Sequence, residues 1–433
     1  MSKLGHKADV LVFGGGPAGV SAALAAARLG SSVLLVERHG FCGGMATAAG
    51  LSVFINYRAG TTDLSAPIYR EIVERLDRIG AHYRTDDLHC DVFEPEALKV
   101  VLDRMLEEAG VRTLYHVGPD QIRPCGDGTW EVVCRGKNCQ RTLAVRCLID
   151  ATGDADASRL AGVETTFGRS RDGRTQPMTM VARFGGFNPV DYHAAGGQLL
   201  KGRYVFEGST RASEIAEAKR LGLWDIPRDD IAMFWSQPWD PTAVTVNGTR
   251  IHGNATDLAN FSDAEAQGRK QVWQLLNFMR RFIPGFSRAF LVATGPQIGV
   301  RETRRIIGRA TLTESDVLGR VIPEDSICEC AYPIDIHDPD GASDTFDLEQ
   351  STRYGISYQC LLPKNVEWFL AAGRCISASH EAAGSFRVMP TCSSLGQAAG
   401  TAAALAVKAG VPPSKVSAAE VSCHLVTSSL AAD

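Results

Sequence analysis

The chain opens on a short apolar run, Asp9–Phe13 (DVLVF), which reads as a strand buried on both faces. A glycine turn follows, Gly14–Gly19 (GGGPAG), and then Val20–Leu29, whose alanine-rich composition suits a helix lying close against a sheet. A second apolar run, Ser32–Val36, ends in Glu37. Pro67–Ile79 places apolar residues at helical spacing and stops at Gly80. Another helix opens at Glu94-Pro95-Glu96, with acid and proline in its first turn, and ends at Gly110. Val111–Val117 reads as a strand. Three short runs then follow between glycine-rich turns, Gln121–Pro124, Trp130–Arg135 and Thr142–Ile149, and they predict a small antiparallel meander. Leu148–Asp154 returns the chain to the parallel sheet.

From about Thr166 to Pro363 the character changes. Thr179–Phe184 and Thr242–Asn247 alternate as strands, and Gln267–Phe282 is an amphipathic helix stopped by Pro284-Gly285. Beyond it, Trp368–Ala372 reads as a short buried strand and Gly373-Arg374 as its exit turn. Leu395–Val407 reads as a Gly/Ala helix that begins near Cys392–Gly396.

The chemistry begins at the first turn. Gly14 permits a bend that a Cβ would block, Gly16 lets backbone approach a pyrophosphate, and Gly19 lets the helix pack closely on the strand. Pro17 and Ala18 start the helix, whose unpaired N–H groups face the phosphates. Glu37 stands about 20 residues on, where an acid accepts hydrogen bonds from a ribose diol. Strand, turn, helix, strand and acid in this order point to a dinucleotide. After Glu37 comes a glycine-rich loop, Arg38–Thr47, rather than the helix expected of an NAD domain, and its backbone donors suit a larger anionic cofactor. The pair Glu37-Arg38 followed by Gly43-Gly44 and Met45-Ala46-Thr47 resembles the FAD-binding proteins of the glutathione-reductase-like superfamily. There this segment passes under the pyrophosphate. Ala151-Thr152-Gly153-Asp154 matches that superfamily's second FAD-associated motif.

The resemblance tightens over GFCGGMAT (Gly40–Thr47), DATGDAD (Asp150–Asp156), GVRETRRI (Gly299–Ile306), AGRCISASHEAAGSFRVMPTC (Ala372–Cys392) and LGQAAGTAA (Leu395–Ala403). In collinear order these are similar to bacterial FAD-dependent oxidoreductases related to the succinate dehydrogenase and fumarate reductase flavoproteins. The resemblance implies that Gly373, Arg374, Thr391, Leu395 and Gly396 border the cofactor, with the Arg374–Leu395 stretch wrapped around the flavin ring. The fold class expected is α/β: a Rossmann-like FAD-binding domain with a parallel sheet and a small antiparallel meander, plus an inserted α+β substrate domain. The expected boundaries are 1–165 and 366–412 for the discontinuous FAD domain, 166–365 for the cap and 413–433 for a C-terminal tail.

Three residues stand out for catalysis. Arg387 matches an arginine that, in dehydrogenase relatives, meets a substrate carboxylate or moves a proton. His380 lies on the same loop and titrates near neutrality, which suits a general base or proton carrier. Arg301, beside Glu302 in a dense charge cluster, suits two-pronged recognition of an acidic group, with a salt-bridge network as the blander reading. His39, Cys42 and Cys392 raise the question of a covalent flavin link.

Composition narrows the class. The 433 residues suffice for two or three domains, and 45% hydrophobic with 22% charged residues is ordinary for a globular protein. A formal net charge of -4 gives no footprint for nucleic acid, no run reaches the roughly 18 apolar residues of a membrane span, and the N-terminus lacks a signal-peptide stretch, so a cytoplasmic location is expected. The 12 cysteines form no C-x-x-C pair, which argues against a metal site or a disulfide reductase. A single dinucleotide frame argues against a dedicated NAD(P)H domain. The expectation is an FAD-dependent dehydrogenase, oxidase or reductase passing hydride between flavin N5 and a small organic substrate held between the domains; a homo-oligomer stays open. The alternatives are a flavin monooxygenase, although Gly373-Arg374 stands where aromatic hydroxylases carry D-G, and a non-catalytic or electron-transfer subunit of a larger complex.

Overall fold

The first strand, His6–Phe13, is the centre of a parallel arrangement because both its edges are occupied. Val33–Glu37 pairs with it on one side (Val10↔Val33) and Gln140–Asp150 on the other (Val10↔Cys147), with Arg112–Tyr115 added beyond Val33–Glu37. Val10 to Phe13 have no exposed surface, as expected of a strand covered on both faces. The structure, a computed structural model, describes residues 6–427 apart from 56, 86–89, 201–202, 207–210, 230, 232–233, 237–238, 341–342 and 347–351.

The meander and the return strand prove to be one element. Gln140–Asp150 pairs antiparallel with Trp130–Arg135 along its first half, and Trp130–Arg135 in turn pairs with Gly118–Pro124. Its last residues, Leu148–Asp150, pair in parallel with Phe369–Ala371. The reason is visible in burial: the first half alternates between exposed and buried, whereas Cys147 to Asp150 are wholly buried. Two-sided and one-sided sheet therefore meet within a single strand.

The elements 166–365 contribute a second, antiparallel sheet, whose described strands include Val244–Val246, Ala182–Gly185 and Phe290–Thr294 in that spatial order. The long helix Leu258–Phe282 packs Val272, Leu275, Leu276 and Met279 into a core with Phe184, Val244 and Val246. It begins well before the expected Gln267, because Asp257 caps it by accepting the Asn260 N–H at 2.9 Å; the polar first turns hide that start from periodicity. The strand expected at Thr179 is formed only from Ala182, with Thr179 making an isolated bridge to Gly299.

The closing helix, Met389–Ala409, starts earlier than the expected Cys392–Gly396. Val388 is extended and Pro390 sits in the first turn, where its fixed φ and missing N–H suit a helix start. Ahead of it, His380–Phe386 is a short helix rather than loop, and the Ser379 side chain caps it by accepting the Ala382 N–H at 3.2 Å.

The opening helix, Pro17–Arg28, and the closing helix touch backbone to backbone. A Cβ placed on Gly396 would lie 1.9 Å from the Ala18 carbonyl oxygen, and one on Gly400 would lie 2.1 Å from that of Ala22. Ala22, Ala23, Ala26, Ala399, Ala402 and Ala403 fill the seam with no exposed surface, and Ser21 and Ser393 share a hydrogen bond of 2.7 Å. No described helix is long and apolar enough to cross a membrane. Because the obstacle is backbone and cannot swing aside, Gly400→Val is expected to destabilise the protein by about 3 kcal/mol or more. Gly126→Ala, which adds a Cβ into open space, should stay within about 0.5 kcal/mol. Denaturant unfolding of the two variants checks this.

Candidate active site

Two cavities meet near the carboxyl ends of the parallel strands. The first, about 300 Å³, is bounded by Gly14, Gly16, Pro17 and Ala18 of the opening turn, by Glu37, Arg38, Gly44 and Met45, by Ala151, Thr152 and Gly153, and by Gly373 and Arg374. Four segments far apart in sequence thus share one wall. The second cavity, about 400 Å³, lies toward the antiparallel sheet and is lined by Val181, Arg228, Asn247, Arg301, Tyr332, Asp335 and His337 among others. Met45, Arg374, Arg387 and Met389 border both.

The first cavity is held open by hydrogen bonds to carboxylates. Glu37 accepts the Gly15 N–H at 2.5 Å on one oxygen and the His39 N–H at 2.8 Å on the other, so the turn and the loop after the second strand are tied to one side chain. Asp150 accepts from Thr152 N–H (3.0 Å) and hydroxyl (2.7 Å) and from Ser158 N–H (2.7 Å) and hydroxyl (2.6 Å), which fixes the second motif's turn. Gly14 has φ +92°, and a Cβ there would meet the Ala151 carbonyl at 2.5 Å. Gly16 differs: its φ of -71° is open to any residue, and a Cβ would find only Gly44 Cα, at 3.8 Å. Room is left there for something else.

Asp154 stands behind the wall. One of its oxygens accepts from the Thr303 hydroxyl at 2.8 Å and from Arg374 Nη2 at 3.3 Å, while Arg374 Nη1 is buried with no partner. Arg387 Nη2 donates to the Asp335 carbonyl at 2.8 Å and to its carboxylate at 3.2 Å, and its Nε is likewise buried and unpartnered. Asp156 borders the first cavity; burial, then the neighbouring Asp154 and Asp150, raise its pKa to about 6 against the opposing Arg304 and Arg38. His39 borders it too, with Nε2 3.0 Å from Gln297 Oε1, and burial pushes its pKa down. Cys392 also borders it, its thiol pushed up to about 12 by burial; Cys42, raised in the same way, does not.

The remaining residues singled out from the sequence support the wall from behind. Gly19 packs on Gly14. Thr47 donates to the Cys42 carbonyl at 2.8 Å beneath Gly43, and Ala46 is buried beside it. Thr391 donates to Cys330 Sγ at 3.4 Å, and Leu395 and Gly396 lie inside the helix seam. None of these borders either cavity. Nor does His380: its Nδ1 sits 2.8 Å from Glu302 Oε1, in a buried network with Arg305. The short helix turns His380 inward, where a loop would have left it free to face the flavin. Arg301 does line the second cavity.

Tyr332, Asp335 and His337 are among the residues there that were missed. Asp335 and His337 alternate with the buried Ile334 and Ile336 on the strand Ile334–His337, a period-2 signal that the sequence carries. Tyr332 donates to Asp335 at 2.9 Å. Burial would raise the Asp335 pKa, but the His337 hydrogen bond, the Arg387 charge and the Tyr332 hydroxyl outweigh it and hold the carboxyl low. Burial, then Arg301, lowers His337 to about 4, so the imidazole is neutral at physiological pH. Its Nδ1 faces Arg250 Nη2 at 3.5 Å; a guanidinium only donates, which leaves the ring proton on Nε2. Among the described residues no cluster of His, Cys, Asp and Glu could hold a metal ion.

A glycine cradle at a helix N-terminus, an acid closing the second strand and a buried unpartnered guanidinium fit an anionic dinucleotide, and the continuation into a second cavity gives the plan of a flavoenzyme. The chain belongs to the FAD-dependent oxidoreductase family, whose model matches residues 9–425. A search of curated proteins finds no match. Among solved structures it is similar to p-nitrophenol 4-monooxygenase PnpA from Pseudomonas putida DLL-E4, at 12% identity and TM-score 0.51, covering 97% of this chain and 84% of that one. A geranylgeranyl bacteriochlorophyll reductase-like protein from Thermoplasma acidophilum is similar at 14% identity and TM-score 0.46, covering 98% and 82%. At 12% identity the likeness to PnpA is one of fold. The protein is an enzyme, and its cofactor is FAD.

Gly16→Val should fold with stability within about 1 kcal/mol of the parent, because its φ suits any residue and the nearest neighbour of a Cβ is Gly44 Cα, at 3.8 Å. It should nevertheless purify without flavin absorbance. FAD affinity should fall as pH rises through about 6, where Asp156 ionises beside the anion, by up to about tenfold per unit of pKa change on binding. Asp156→Asn should flatten that profile in a fluorescence titration of the apoprotein.

Proposed function

We propose that this enzyme passes a hydride between FAD in the first cavity and a small organic substrate in the second. The observation that carries the reading is the shared wall: Met45, Arg374, Arg387 and Met389 belong to both cavities, so the contents of one reach the other. FAD supplies the two-electron chemistry when bound. The chain's own task is to hold, orient and screen the substrate. Arg387 stands at the junction, kept in place by Asp335, and orients whichever substrate group approaches the flavin. Arg301 reaches the same space from the antiparallel side. His380 is assigned a structural role, as the partner of Glu302.

Under this reading residues 1–165 and 366–412 form the cofactor-binding part and 166–365 the substrate-facing part. The collinear GGMAT, ATGD and closing-helix motifs support kinship with the succinate dehydrogenase and fumarate reductase flavoproteins.

Anaerobic titration of the purified holoenzyme against a metabolite panel tests the proposal. Flavin bleaching by one small molecule is the expected outcome, and a panel with no effect on the flavin would overturn it. Incorporation of an oxygen atom from O2 into product would assign a monooxygenase instead. Arg387→Ala should slow bleaching on the order of 100-fold with FAD retained. His380→Ala should leave bleaching unchanged and lower stability by about 1–3 kcal/mol, as Glu302 loses one partner.

A further inference from the structure

Arg301 lines the second cavity, and its hydrogen bonds all go to neutral acceptors from a single nitrogen. Its Nη1 donates to the Pro177 carbonyl at 2.6 Å and to the Thr179 hydroxyl at 2.5 Å. Nε and Nη2 make no further hydrogen bond, and no carboxylate comes within ion-pair distance of the side chain among the described residues. Arg374 and Arg387, by contrast, each face a carboxylate, Asp154 and Asp335. A charge taken out of bulk water without a counter-ion is costly, and burial with the nearby Arg387 already pushes the Arg301 pKa down. The guanidinium nonetheless stays charged at neutral pH. The Nε–Nη2 edge that is left over is the edge on which arginine takes a carboxylate with two parallel hydrogen bonds.

The polar groups of the strand Ile334–His337 beside it are already engaged. Asp335 is engaged by Tyr332, His337 and Arg387, and His337 is neutral, with Arg250 on its far nitrogen. Leu51, Val53, Ile55 and Val181 give the cavity an apolar lining as well. We infer that the substrate is a small monocarboxylic acid with an apolar body, its carboxylate clasped by the Nε–Nη2 edge of Arg301. This rests on the second cavity being the substrate site.

The test uses the holoenzyme and equilibrium binding, read as the flavin difference spectrum and by calorimetry. The probes are benzoate and phenylacetate, their uncharged amides, and malonate. The two monocarboxylates should bind about tenfold or more tightly than the amides and than malonate, the size of a charge-assisted pair. Arg301→Gln should abolish that preference with flavin retained, and Arg301→Lys, which keeps the charge and loses the fork, should fall between. Affinity should be flat between about pH 6 and 8, where the ligand is ionised and His337 is not. The inference is overturned if amides or malonate bind as tightly as the monocarboxylates, if Arg301→Gln keeps the preference, or if affinity climbs as pH falls through about 6.5, which would make an imidazolium the anchor. Carboxylate binding without flavin reduction by any metabolite would remove the redox assignment alone. Flavin reduction by a neutral metabolite, with no carboxylate binding, would remove this inference alone.

Discussion

The missing Cβ atoms at Gly396 and Gly400 are the constraint on which the rest of the structure depends. They allow the closing helix to rest on the carbonyls of Ala18 and Ala22, and nothing larger than hydrogen fits in either gap. That contact brings residues nearly four hundred positions apart to one cavity wall. The same helix carries Met389 to the boundary between the cavities and Cys392 to the first, while the turn just ahead of the opening helix supplies Gly14 and Gly16. The seam gains little from any one alanine. Its stability comes from the number of close contacts, and its precision from the fact that backbone cannot rotate away.

Charge is arranged on a different logic from packing. Glu37, Asp150, Asp154 and Glu302 are buried and each accepts two or more hydrogen bonds; those of Glu37, Asp154 and Glu302 include donors distant in sequence, so these three act as knots. A carboxylate with several donors is a rigid fixture, since losing any one donor exposes the charge to an unfavourable medium. Arginines carry the opposite pattern. Arg374 and Arg387 each keep one nitrogen without a partner, and both stand where the two cavities join. Fixed negative groups frame the site, and incompletely satisfied positive groups face its contents.

Much of this was legible in the sequence because the cofactor frame is built from backbone. Glycine positions and apolar runs encode backbone shape directly, and Gly14, Gly16, Glu37, Gly153 and Arg374, all singled out from the pattern, border the first cavity. Side-chain chemistry was harder to read. His380 looked available because its segment resembled loop, yet Ser379 caps a helix that turns the ring toward Glu302. The closing helix was placed too late because its first turn holds Met, Pro, Thr and Cys in place of alanine, although Pro390 is itself a start signal. Asp335 and His337 were missed although their alternation with Ile334 and Ile336 was there to see; what no periodicity could tell is that this strand's polar face would meet Arg301 and Arg387, which depends on tertiary placement alone.

One further consequence follows from the register of the strand Gln140–Asp150. Leu148 to Asp150 lie directly beside Phe369 to Ala371, so the polypeptide leaves the parallel sheet and re-enters it at adjacent places. Everything between is a loop in the topological sense, however large it has grown. The part around the helix Leu258–Phe282 has a core of its own, so its length and content can change with little effect on the ladder. Such a junction lets descent with modification exchange one set of reactants for another while the nucleotide end stays as inherited.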